Sequence, residues 1–144
     1  MAAAERLYTP ELLGLAVELA QWPPLQEAQA HGETRSAACG STLAIDLTLD
    51  GEGRIANLGL RVRACAIGQA AAAIFARHAE GQDRAGIALT LNELEAWLAQ
   101  RGPLPPWPEI SLIAAARDYP GRHGALLLPW KGALAALSSA FAAG

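Results

Sequence analysis

The sequence predicts an α+β fold, a small antiparallel sheet of about three strands packed against several helices. Three observations predict it. Apolar and polar residues alternate with a period of two between Ser41 and Arg63. The turn-forming run Asp50-Gly51-Glu52-Gly53 divides that region, so its halves read as a β-hairpin. Alanine- and leucine-rich stretches with helical spacing lie on either side. The hairpin exposes one apolar face, and these helices are available to cover it. The chain has 144 residues, the length of one domain, which we take as residues 1–144.

The first predicted helix begins at Thr9-Pro10-Glu11, read as N-cap, first-turn proline and first-turn acid. Leu12, Leu13, Leu15, Ala16 and Leu19 form its apolar face, and Trp22-Pro23-Pro24 stops it. Leu25 to Glu33 reads as irregular, and Glu33 to Ala38 as an edge strand. In the first hairpin strand Leu43, Ile45, Leu47 and Leu49 point one way, while Thr42, Ala44, Asp46 and Thr48 point the other. Ile55 to Arg63 forms the second, with Leu60 and Val62 inward and Arg61 and Arg63 outward. Ala66 to His78 is a helix by composition, closed near Gly81. Thr90-Leu91-Asn92-Glu93 has the form of a capping box and predicts a helix from there to about Ala99. The proline-rich run Gly102 to Pro108 is a rigid connector. A short helix is expected over Ile110 to Asp118, ended by Tyr119-Pro120-Gly121. A last helix is expected over Leu126 to Phe141, beginning near Pro129.

Composition removes several classes. Net charge is −3, with 11 Lys and Arg in all and no basic run, so nucleic-acid binding has little support. The apolar stretches around 66–76 and 133–143 are too short and alanine-rich to span a bilayer. Met1 to Arg6 does not form a basic segment leading into an apolar one, so no secretory signal is expected. A cytoplasmic, reducing setting follows, in which a disulfide is the lesser use of two cysteines. No Gly-x-Ser-x-Gly elbow and no glycine-rich phosphate loop occurs. A cysteine hydrolase pairing Cys39 or Cys65 with His123 has no local signature. The expectation is a non-enzyme.

The informative residues are the two cysteines. Cys39 lies in Ala38-Cys39-Gly40-Ser41, just before the hairpin, and Cys65 in Ala64-Cys65-Ala66-Ile67-Gly68, where the second strand gives way to a helix. Both fall at strand ends among small neighbours, where a thiolate is reachable and backbone amides can stabilise its charge. The alternative is that both are small buried hydrophobes. Two cysteines do not fill a four-coordinate metal site, and they are not in a Cys-x-x-Cys arrangement. Of the histidines, His123 precedes the last helix. His78 reads as a helix C-terminal cap and His31 as an exposed residue of an irregular segment. Arg61 and Arg63, on the polar strand face before Cys65, read as a solvated face or as charges near a thiolate.

These two segments, on either side of a hairpin, make the chain similar to the U-type iron–sulfur cluster scaffold family, which includes IscU, SufU and the N-terminal domain of NifU. The family places its first cysteine in an Ala-Cys-Gly-Asp loop and its second at the opening of a helix. The separation of Cys39 and Cys65 resembles that layout. Arg122-His123-Gly124-Ala125-Leu126-Leu127-Leu128-Pro129-Trp130-Lys131 resembles the SufU-type closing segment, and with the N-terminal helix extends the match over nearly the whole chain. The chain departs from the family in three places. The third cysteine falls on Ala125, the loop aspartate on Ser41, and the histidine before the third cysteine on Gly124.

The resemblance implies a SufE/NifU-like fold and a scaffold or sulfur-acceptor role in iron–sulfur cluster assembly. Cys39 and Cys65 would be the cofactor-binding residues. Partners would be a cysteine desulfurase and cluster-accepting proteins. The bound species would be a transient iron–sulfur cluster, such as [2Fe-2S], or zinc. Cys39, Cys65 and His123 would be the metal ligands of an open Cys₂His site. Alternatively, a homodimer would supply two cysteines from each chain to a four-thiolate cluster. The departures weigh against a self-contained zinc site. They leave a second expectation: a degenerate scaffold that binds a desulfurase or another assembly protein as a non-catalytic interaction module.

Overall fold

The computed structural model describes residues 7–143, so the Met1–Arg6 segment weighed above as a signal lies outside it. Within them the fold is α+β: a three-stranded antiparallel sheet in the order β1-β2-β3, with four α-helices and three 3₁₀ segments. In chain order these are α1 (Pro10–Glu18), a 3₁₀ turn (Leu19–Gln21), β1 (Ala30–Arg35), β2 (Thr42–Leu49) and β3 (Ile55–Arg63). Then come α2 (Ala66–His78), α3 (Arg84–Leu98), 3₁₀ segments at Ile110–Asp118 and Pro120–Arg122, and α4 (His123–Ala143).

The hairpin stands where the alternation puts it. Leu43, Ile45 and Leu47 are buried on the inner face, opposite Leu60 and Leu58 of β3. The turn is fixed by Asp50, whose carboxylate accepts from the N–H groups of Glu52 (2.8 Å) and Arg54 (3.0 Å), while Gly53 takes the left-handed conformation. α4 lies across the inner face of β1 and β2 and also contacts α2 and α3. The backbones approach closely there. A Cβ on Gly32 of β1 would lie 2.3 Å from the carbonyl oxygen of Gly132 in α4. α2 is buried almost all round from Ile67 to Ala76, which suits its short alanine side chains. Phe75 stacks on Trp107 of the proline-rich connector, with Trp130 of α4 edge-on to both. Trp107 Nε1 donates to the carbonyl of Ile74 at 3.2 Å, tying the connector down.

Several boundaries differ from the sequence expectation. The edge strand is Ala30–Arg35, earlier in the chain than Glu33 to Ala38 and inside the stretch read as irregular. Its partners on β2 fix it: Ala30 pairs with Leu47 and Arg35 with Thr42. The helix expected at Thr90 starts at Arg84, capped by Asp83, whose carboxylate accepts from Gly86 N–H at 2.8 Å. The Thr90–Glu93 pattern is therefore helix interior, because an earlier cap had already nucleated the helix. Ile110–Asp118 is 3₁₀ with a kink at Ile113. α4 begins at His123, not near Pro129, so the proline is carried inside the helix. On α1, Leu12 and Leu15 are buried but Leu13 is exposed.

The candidate site at the end of the sheet

Strand pairing brings the two thiol segments to one end of the sheet. Arg35 pairs with Thr42, and Thr42 with Arg63, so the β1–β2 loop carrying Cys39 and the exit of β3 leading to Cys65 leave the same row. The start of α4 arrives there too. A Cβ on Gly124 would lie 2.2 Å from Ser36 Oγ, and one on Gly68 of α2 would lie 3.3 Å from Ala125 Cβ.

The Cys39 loop is a closed turn. Ser36 N–H donates to the Ser41 carbonyl and Gly40 N–H to the Ser36 carbonyl, each at 2.8 Å, with Gly40 at φ +72°. Cys39 itself is exposed, while Ser36 and Ser41 are buried beneath it. Cys39 Sγ lies 3.4 Å from Ser36 Oγ and 3.0 Å from Ser41 Oγ. A thiol there donates to one hydroxyl; a thiolate accepts from both. The Ser36 and Ser41 hydroxyls, the backbone of Ser41 and the positive charge of Arg122 hold the thiol pKa below its ordinary value, against some desolvation. Cys39 is thus a reachable, acidified thiol.

Cys65 is half-buried at the N-cap of α2, where its side chain makes no capping bond. His123 is half-buried in the first turn of α4, and its Nε2 donates to the Arg117 carbonyl at 2.7 Å. Among the described residues no three His, Cys, Asp or Glu side chains are placed to hold a metal ion. Ala125, where the sequence resemblance places the third cysteine, is fully buried. The described residues of one chain therefore do not gather a ligand set for a resident zinc ion. His78 meets Glu109 through Nε2 at 2.6 Å, and His31 lies between Asp46 (2.7 Å) and Glu33 (3.0 Å), so both have specific partners beyond the roles expected of them. Asp46 first and Glu33 second raise the pKa of His31.

Ser36, Arg122 and Gly124 complete the site. In the sequence Arg122 and Gly124 stand out only as part of the closing segment, and Ser36 does not stand out. The signal lay in Ser36-Ala37-Ala38-Cys39-Gly40-Ser41, a hydroxyl on either side of a thiol in one tight turn.

The fold matches those of solved NifU-like and SufU proteins, as the resemblance implied. The N-terminal part of a NifU-like protein from Brucella abortus superposes with a TM-score of 0.89 at 23% identity, over 99% of this chain and 100% of that one. A SufU protein from Fervidobacterium islandicum AW-1, named for assembly in the SUF system, superposes with a TM-score of 0.80 at 21% identity, over 91% and 96%. No family model and no curated protein sequence matches the chain. No helix among the described residues is long and apolar enough to cross a membrane.

Proposed function

We propose that this protein is a sulfur acceptor built on a scaffold fold and works in iron–sulfur cluster assembly. One observation carries the reading. Cys39 is exposed and acidified by two buried hydroxyls, in the loop that the sequence resemblance matches to the scaffold family's first-cysteine segment. The Cys39 thiolate attacks the terminal sulfur of a protein persulfide, R–S–SH, presented by a cysteine desulfurase. The donor's S–S bond breaks, its electron pair leaves with R–S⁻, and Cys39 becomes Cys39–S–SH. The exchange needs no further oxidant or reductant. The hydroxyls of Ser36 and Ser41 steady the attacking thiolate, and Arg122 favours an anionic donor. An iron–sulfur cluster is cargo in this reading. One chain has two free cysteines, and a second chain would complete a four-cysteine set.

The test is to mix the purified chain with a desulfurase and cysteine and weigh the intact protein. The expected product gains the mass of one sulfur, reverts with a reductant, and is absent in Cys39→Ser. Sulfur loaded equally on Cys39→Ser would sink the proposal. In a second reading the chain serves as an interaction module for an assembly partner, since Ala125 is buried and no group among the described residues is placed to hold a metal ion. Partner binding that survives in the Cys39→Ser/Cys65→Ser double variant, with no sulfur loaded on the parent, would favour it.

A further inference from the structure

The outward face of the sheet carries a second feature, separate from Cys39. Register places Arg35 of β1, Thr42 of β2 and Arg63 of β3 in one row, and Glu33, Ala44 and Arg61 in the next on the same face. Arg35, Arg61 and Arg63 are all exposed, and none has an ion-pair partner among the described residues. Glu33 is the carboxylate that shares the row of Arg61, yet it is turned to His31 Nε2 at 3.0 Å. Asp46 likewise meets His31 and the Leu25 N–H. Glu33 and Asp46 line the same cleft as the arginines, but both are engaged by His31, so three arginines without ion-pair partners face two carboxylates that already have one.

The shape is as selective as the charge. Thr42 and Ala44 are short, so the central strand forms the floor of a trough whose walls are arginines. These residues line one open cleft of about 790 Å³, which His31, Glu33 and Asp46 share. Neighbouring strands stand ~4.8 Å apart, so β1 and β3 are separated by roughly 9.6 Å across that floor. Along β3, Arg61 and Arg63 are two residues apart, or ~6.8 Å. That is also the spacing of alternate side chains in an extended peptide.

We infer that this trough docks an extended acidic segment of a partner protein, with carboxylates at alternate residues reaching Arg61 and Arg63 and a further one reaching Arg35. Guanidinium groups pair with carboxylates in a two-pronged geometry that suits such a ligand. The inference goes beyond the reading of Cys39 and does not depend on it.

The probe is a fluorescein-labelled decapeptide with glutamate at alternate positions, titrated with the full chain and followed by anisotropy. Saturable binding is expected, weakening as sodium chloride rises from about 20 to about 300 mM. The triple variant Arg35→Ala/Arg61→Ala/Arg63→Ala should weaken it about tenfold, the sum expected of three exposed ion pairs. Arg54→Ala, in the hairpin turn, should bind as the parent does, and so should Cys39→Ser. The three arginines are exposed, so the triple variant is expected to fold, which circular dichroism checks. No binding below millimolar concentration, or equal binding by the triple variant, overturns the inference. Equal or tighter binding of a single-stranded oligonucleotide, or competition by inorganic phosphate at the peptide's own concentration, also overturns it by showing a general anion surface.

Discussion

At the scale of single residues, the chemistry at Cys39 is set by what lies beneath it. Ser36 can hold its hydroxyl near the thiol because residue 124 has no side chain. An added Cβ at Gly124 would lie 2.2 Å from that hydroxyl and 3.1 Å from Ser36 Cβ. Gly124→Ala should therefore push the hydroxyl aside and act on the thiol as Ser36→Ala does. Ser36 is the first cause of the lowered pKa, so both variants should raise it. The measurement is the rate of Cys39 alkylation against pH in a Cys65→Ala background. In the parent the rate should persist to lower pH than in either variant, with a midpoint about one unit apart or less. Coincident profiles would show that the hydroxyls do not tune the thiol.

At the scale of elements, the β1–α4 contact is the most demanding join. A Cβ on Gly32 would meet the Gly132 carbonyl oxygen at 2.3 Å and the Ala136 nitrogen at 2.8 Å, both backbone atoms that cannot turn away. Gly32→Val should cost about 1–3 kcal/mol, the usual range for overpacking, read as a lower urea midpoint. The elements were unequally legible in the sequence. The alternation from Leu43 to Leu49 and the alanine run of α2 gave both segments their type and nearly their limits, because burial on one face and burial all round leave different patterns. β1 was harder to place. Its pattern includes His31, Glu33 and Arg35 on the solvent face and Gly32 on the buried one, so little apolar signal remained. The start of α4 was misplaced by the weight given to Pro129. A proline removes one N–H, here the donor that would have reached the Ala125 carbonyl, and flanking turns carry the helix across.

Across the whole molecule, Arg77 joins three parts that are distant in sequence. Its guanidinium bonds Glu18 at the end of α1 through Nε (2.8 Å) and Nη2, and Glu109 after the proline connector through Nη1. Arg77 lowers the pKa of Glu18. A depressed carboxylate pKa means stability that is present above the ordinary value of 4.5 and lost as pH falls through the folded-state value. Arg77→Met should thus cost about 1 kcal/mol or less at neutral pH, since the group is partly exposed, and nothing once Glu18 is protonated. Thermal melts at pH 7 and pH 3 check this; an equal cost at both would show packing instead. At this scale the general architecture was legible from the hairpin and the cysteine segments. The site's detail was not, because Ser36, Arg122 and Gly124 meet only after strand pairing and the packing of α4. Their meeting also bears on descent. Ser36 and any side chain at residue 124 compete for one volume, so the two positions cannot change independently. A side chain at residue 124 would first require a smaller residue at position 36, and Cys39 would then lose a hydroxyl that it uses. The present pair is thus a local trap for sequence change: residue 124 can grow only after residue 36 has shrunk, and residue 36 can hold its hydroxyl only while residue 124 stays bare.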